Sequence, residues 1–150
     1  MPNDEVRGRL LVGAQFALLA AWLVAGPRVA AHPIGMLIQA AGLGLAGWAF
    51  IVMIAAQRRL FRIAPDPSGH TRLVTWGPYR WVRHPMYSAI LLVVAPSWLG
   101  IPPDWRAAGF VALVAVLVTK LLHEERLLQT HFEGYAAYRA TSWRLAPGVY

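Results

Sequence analysis

Two short stretches hold most of the residues able to do chemistry. The first runs Leu73-Val74-Thr75-Trp76-Gly77-Pro78-Tyr79-Arg80-Trp81-Val82-Arg83-His84-Pro85-Met86-Tyr87. The second begins His123-Glu124-Glu125-Arg126 and continues through His131, Phe132, Glu133, Gly134, Tyr135, Tyr138 and Arg139. In the first, Gly77-Pro78 predicts a tight turn, and Pro85 suits the first turn of a helix, where its missing N–H is not needed. His84 would then flank a helix N-terminus, whose free amides and partial positive charge suit a carboxylate or another acceptor group of a ligand. The plainer alternative makes the same tryptophans and arginines an interfacial anchor belt. In the second, neighbouring helical residues point about 100° apart, so one glutamate can face a site while the other meets solvent or an arginine. Here too there is a plainer alternative, a charged cluster that simply ends a helix at an interface.

Other chemistries are poorly served. Without cysteine there is no thiolate nucleophile, thiolate metal ligand or disulfide. His123 and His131 lie two helical turns apart, but zinc needs a third and usually a fourth ligand, and no HExxH pattern supplies them. No metal is therefore expected. The glycine-rich loops of P-loop or Rossmann type are absent as well. The net charge is +7, but the charges are scattered between apolar runs, so the continuous basic face that nucleic acid requires is missing.

The elements that must position these stretches are membrane helices. Of 150 residues, 57% are hydrophobic and 14% charged, against about 25% charged in soluble domains. The apolar runs at 10–26, 34–56, 86–103 and 107–122 predict four transmembrane helices in an all-α, polytopic fold forming a single domain over 1–150. The second run is the clearest, with Gln39 as its one strongly polar residue. Ala40, Gly44 and Gly47 form a small-residue stripe on it, suited to close helix approach or merely ordinary glycine content. Pro96 interrupts the third run, and Asp104-Trp105-Arg106 turns it into the fourth, at whose end Lys120 can snorkel towards water.

Arginines set the orientation. Arg58, Arg59, Arg62, Arg72, Arg80 and Arg83 lie in the connection between the second and third runs, against Arg28 and Arg106 in the two opposite loops. By the positive-inside rule that connection is a cytoplasmic loop, and four spans put both termini and a helical C-terminal tail on the same side. A competing parse takes Arg7, Arg9, the first apolar run and Val29-Ala30-Ala31 as a cleavable signal peptide. Asp4, Glu5 and Arg28 argue against it.

Together the two stretches resemble the isoprenylcysteine carboxyl methyltransferase family, part of a wider group that includes phospholipid methyltransferases. Leu73-Val74-Thr75, Gly77-Pro78-Tyr79-Arg80 and Arg83-His84-Pro85-Met86-Tyr87 are similar to its first signature. Glu124-Glu125 with Phe132, Tyr135, Tyr138, Arg144 and Pro147 are similar to its second. The resemblance implies S-adenosyl-L-methionine as cofactor, held in a cytosol-facing pocket under the loop and tail. Leu73, Val74 and Tyr79 would line the adenosine end, and His84, Pro85, Met86 and Tyr87 the methionine end. One of Glu124 and Glu125, with Glu124 preferred, would bind polar groups of the cofactor. Lys120 falls where the family tends to place a basic residue near the substrate, a lipophilic or lipidated acceptor within membrane lipid. Direct displacement at an activated methyl needs no catalytic dyad, and none is assigned. Two departures stand out: Ser88-Ala89 replaces the usual residue-then-glycine, and the glycine near Phe132 comes late, at Gly134. The enzymatic rival is a membrane reductase using NADPH, which shares an Arg-His-Pro-like stretch. The rival of another class is a non-catalytic membrane subunit.

Overall fold

Long apolar segments become helices because, away from water, a backbone must satisfy its own N–H and C=O groups. The computed structural model describes residues 2–25, 29–62, 73–98 and 105–148. They form helices α1 (Pro2–Ala25), α2 (Pro33–Arg62), α3 (Pro85–Val94), α4 (Trp105–His131) and α5 (Tyr135–Thr141), with 3-10 turns at Gly77–Arg80 and Ala95–Trp98. No strand occurs among the described residues; Val82 and Trp143 make an isolated parallel bridge. The all-helical expectation holds.

Among the described residues, three helical segments are long and apolar enough to cross a membrane: Val6–Val24, Pro33–Ala56 and Arg106–His131. The third apolar run is realised as a shorter unit, Pro85–Ser97, in which α3 gives way to a 3-10 turn around Pro96, a residue that cannot donate to a helical ladder. The remainder of that run and Asp104 lie outside the described residues, as do Arg28, Arg72 and the Pro65–Gly69 turn. The other helices outrun the apolar stretches that nucleate them. Most consequentially, α4 continues past Lys120 to His131, so the acidic pair sits on a continuous helix rather than on a separate tail.

α2 packs on α3 and α1 on α4. Between them Tyr87, Val94, Leu113, Leu117 and Leu121 form a buried cluster, flanked by Leu18, Leu19 and Trp22 of α1 and by Leu145 of the C-terminal segment. Large apolar side chains such as Leu10, Phe16, Leu37, Leu43, Ile51 and Val111 point outward, as a lipid-facing surface requires. Since lipid is as apolar as leucine, close approach and hydrogen bonds hold such helices together. Buried Gln39 donates from Nε2 to the Val93 carbonyl at 2.8 Å and accepts from the Ala30 N–H at 2.9 Å, tying α2 to α3. Trp22 Nε1 donates to Ser97 Oγ at 3.1 Å, tying α1 to the end of α3.

The expected small-residue stripe is displaced. A Cβ on Gly44 or Gly47 would meet nothing within 4 Å, whereas one on Gly42 would lie 2.8 Å from Leu92 Cβ and 3.1 Å from the Ala89 carbonyl oxygen. The close approach between α2 and α3 is thus secured by Gly42, across from Ala89. Ala89 itself is buried, and its carbonyl lies against the space that the missing Cβ of Gly42 leaves.

Candidate functional site

The first chemistry-bearing stretch is pinned in place by short-range geometry. Gly77 opens the 3-10 turn with φ +64°, where a Cβ would also come within 2.7 Å of Val52 Cγ2. Glycine is needed there on both counts. Trp76 and Trp81 are exposed, as is Trp143. Arg83, His84 and Tyr87 turn inward. Pro85 begins α3 with His84 as the residue before it, and the N–H groups of Tyr87 and Ser88 donate to the His84 carbonyl.

The C-terminal segment folds back onto this stretch. The N–H of Arg83 donates to the Trp143 carbonyl at 2.7 Å, that of His84 to the Arg144 carbonyl at 3.1 Å, and that of Trp143 to the Trp81 carbonyl at 2.8 Å. Ser88 Oγ donates to the Leu145 carbonyl at 2.5 Å, and Tyr138 Oη to the Tyr79 carbonyl at 2.6 Å. The two stretches that the sequence separates by dozens of residues are thus one unit.

Glu125 is the centre of that unit. Its side chain is 5% exposed and receives Arg83 Nε at 2.9 Å on one oxygen and Arg144 Nε at 3.1 Å on the other. Arg83 also donates from Nη1 to the carbonyls of Arg139 and Ser142. Glu124, one residue earlier and about 100° around the helix, has different company. Tyr87 Oη donates to its Oε1 at 2.6 Å, and the Lys120 ammonium lies 4.0 Å from the same oxygen. His84 sits between the pair, Nδ1 3.7 Å from Glu124 and Nε2 3.7 Å from Glu125, and its ring stacks on Tyr87 with centroids 5.4 Å apart.

Cavities lie on both sides of this junction. One, of about 130 Å³, is lined by Leu73, Val74, Tyr79, Arg83, His84, Leu128, Tyr135 and Tyr138. The other, about 600 Å³ and more open, lies between α1 and α4, where Gly8, Arg9, Val12 and Gly13 face Lys120, His123, Glu124 and Leu127. Of the expected cofactor residues, Leu73, Val74, Tyr79 and His84 line the first cavity. Glu124 and Lys120 line the second. Tyr87 bridges towards Glu124, Glu125 is consumed by arginines, Pro85 is buried in the helix start, and Met86 lines neither cavity.

The Tyr135 hydroxyl is fully buried and has no hydrogen-bond partner among the described residues. Burial pushes the phenols of Tyr79, Tyr135 and Tyr138 up, that of Tyr138 to about 12, so all three remain protonated donors near neutral pH. Sequence reasoning missed Arg83, Tyr135, Tyr138 and Leu128 as lining residues, although all but Leu128 stand inside the two motifs. It also missed Gln15, whose Oε1 accepts from Lys120 Nζ at 3.0 Å. Its signal was being the lone polar residue in an apolar run. Among the described residues no cluster of three metal-ligating side chains occurs.

Comparison with known families returns one match: the family model for isoprenylcysteine carboxyl methyltransferase (ICMT) aligns with residues 36–130, well over half of the chain. The matched region includes nearly all of α2, the first motif, α3 and nearly all of α4, and stops short of α1 and of the segment after His131. No curated protein and no solved structure matches the chain.

Proposed function

The chain belongs to the isoprenylcysteine carboxyl methyltransferase family, and from that membership we propose that it transfers a methyl group from S-adenosyl-L-methionine to a lipophilic or membrane-associated acceptor at the cytoplasmic face. The observation that carries this reading is the pair of cavities meeting at His84 and Glu124. A methyl transferase of this kind must admit a soluble donor and a greasy acceptor from different directions and bring them together at one point.

The donor belongs in the smaller cavity. Leu73, Val74 and Leu128 offer apolar contact, Tyr79 and Tyr138 offer aromatic faces, and His84 offers a polar contact for ribose or amino-acid groups. When bound, S-adenosyl-L-methionine supplies a methyl group on a sulfonium, already activated for displacement by an electron pair of the acceptor. The protein's share is then orientation, worth up to about 7–11 kcal/mol of barrier in favourable systems. His84 is held for that purpose by its backbone bond to Arg144, its stacking on Tyr87 and the two flanking carboxylates. A carboxylate or thiolate acceptor arrives without its proton; an amine would need one removed, and Glu124 stands beside the junction to accept it.

The topology follows from the arginine distribution: four spans, with the unit Pro85–Ser97 as the short third one, and both termini with the 57–84 connection in the cytoplasm. A short third span is tolerable where the bilayer thins or flanking residues snorkel. A reporter fused after Tyr150 should be found inside the cell, and an exported reporter would overturn this arrangement.

The direct test is incubation of purified protein with methyl-labelled S-adenosyl-L-methionine and a membrane lipid extract. Label should move into a lipid-phase product, and S-adenosylhomocysteine should raise the thermal midpoint while NADPH does not. Stabilisation by NADPH alone would replace the transferase reading with a reductase.

A further inference from the structure

The outer wall of the smaller cavity is built from two dipeptides of like design. Tyr79 and Tyr138 line the cavity, and the residue after each, Arg80 and Arg139, is exposed. The 2.6 Å bond from Tyr138 Oη to the Tyr79 carbonyl joins the dipeptides, so both arginines ride on one connected piece of wall. Segments 73–84 and 134–148 together hold four arginines and no carboxylate. Arg83 and Arg144 are engaged by Glu125, but among the described residues no acidic partner stands against Arg80 or Arg139. Exposed tryptophans border them, Trp76 and Trp81 on one segment and Trp143 on the other. Because the Trp143 N–H donates to the Trp81 carbonyl at 2.8 Å, two of these indoles sit on adjoining backbone. Depth is set by α2. Trp81 lies edge-on to Trp48 at 5.9 Å and Gly77 packs on Val52, and both partners belong to the apolar segment Pro33–Ala56. The first motif thus sits alongside that segment rather than beyond its end. The short third unit agrees: Pro85–Ser97 covers roughly 20 Å of a hydrocarbon layer about 30 Å thick, and the turn Gly77–Arg80 lies at the level left over. A surface there meets lipid head groups, among which tryptophan rings are favoured and arginines attract anionic lipid.

We propose that Arg80 and Arg139, with Trp81 and Trp143 beside them, form a site for the anionic head group of a phospholipid in the cytoplasmic leaflet, and that the bound lipid holds Tyr79 against Tyr138 and so tightens donor binding. The two guanidiniums receive the phosphate, for which arginine is suited because its planar fork meets phosphate oxygens with paired bonds. The acyl chains pass over the indoles. Donor affinity thereby responds to the charge of the leaflet. The coupling to the donor rests on the transferase reading; the lipid site stands without it.

The test titrates the detergent-purified full chain with dihexanoyl phosphatidylglycerol, dihexanoyl phosphatidylcholine and glycerol 3-phosphate, with bound molecules counted by native mass spectrometry. Phosphatidylglycerol should bind at least tenfold more tightly than either of the others. Arg80→Gln combined with Arg139→Gln should remove that preference, whereas Arg126→Gln, at an exposed arginine of α4, should not. Equal binding of glycerol 3-phosphate would assign the arginines to a soluble phosphate and overturn the lipid site. Donor affinity is then measured in nanodiscs of phosphatidylcholine with or without about 30% phosphatidylglycerol. S-adenosylhomocysteine carries no net charge near neutral pH, so an anionic bilayer does not concentrate it. It should nevertheless bind about fivefold more tightly when phosphatidylglycerol is present. In the double variant its affinity should be the same in both discs and equal to that of wild type in phosphatidylcholine, which shows the fold intact. A gain that the double variant retains, or no gain in wild type, overturns the proposal. Failure of S-adenosylhomocysteine to bind wild type in either disc would instead sink the transferase reading and the donor coupling with it, while the detergent titration still decides the lipid site.

Discussion

Glu124 and Glu125 are adjacent on one helix, yet the regions they serve differ in kind. Around Glu125 every strong partner is satisfied from within: two arginine side chains on one carboxylate, and a parallel bridge that stitches the end of the chain to the start of α3. Around Glu124 the partners leave one side open, because the carboxylate is 38% exposed and borders the α1–α4 cleft, with one hydrogen bond, from Tyr87, and longer contacts to Lys120 and His84. The difference teaches that a paired acidic motif at a membrane interface can divide labour by helical angle alone. On the proposed reading, Glu125 fastens the roof of the site and Glu124 faces the reaction.

This contrast breaks most visibly at Glu125. Glu125→Ala leaves Arg83, 7% exposed, without its carboxylate, and removing one partner of a buried ion pair costs about 3–5 kcal/mol. The variant should lose most of its thermal stability or fail to accumulate, as read from the melting midpoint in detergent. Glu124→Gln should do the reverse. Its melting midpoint should move little, because the group is partly exposed, while methyl transfer falls about 100-fold, the scale of a 1 Å misplacement at a reacting centre. Equal stability losses in the two variants would erase the division. Tyr87→Phe removes the 2.6 Å bond to Glu124, a hydrogen bond to a charged group worth about 1.5–3 kcal/mol. Transfer should drop roughly tenfold, the equivalent of about 1.4 kcal/mol of barrier, with the protein still folded. The smallest effect is expected on the closed side. Ser88→Ala deletes the bond to the Leu145 carbonyl and should cost about 1 kcal/mol of stability, leaving the affinity for S-adenosylhomocysteine unchanged.

Much of this was legible in the sequence where one residue type decides the matter. Gly77-Pro78 gave a turn because only glycine tolerates the positive φ, and Pro85 gave a helix start because it lacks an N–H. Leu73, Val74, Tyr79 and His84 were placed together by resemblance and do line one cavity. What stayed hidden depends on tertiary registration. Nothing local says that Gly42 rather than Gly44 faces α3, since both stand in the same apolar run and only the crossing point of two helices separates them. Likewise, the preference for Glu124 or Glu125 turns on which face of α4 meets Arg83 and Arg144, residues 42 and 19 positions away. Gln15 was visible as an oddity in its run, but its role needed Lys120, 105 residues on, to be set opposite it.

The central claim is that donor and acceptor approach His84 from opposite cavities, the donor from the side of Leu73, Val74 and Tyr79. A photoreactive 8-azido-adenosyl analogue of S-adenosylmethionine, crosslinked to the purified protein and mapped by peptide mass spectrometry, tests it most directly. The label should fall on Leu73–Tyr79 or Tyr135–Tyr138 and be displaced by S-adenosylhomocysteine. Displaceable label on the α1 face from Gly8 to Gly13 would put the donor in the wrong cavity and contradict the account.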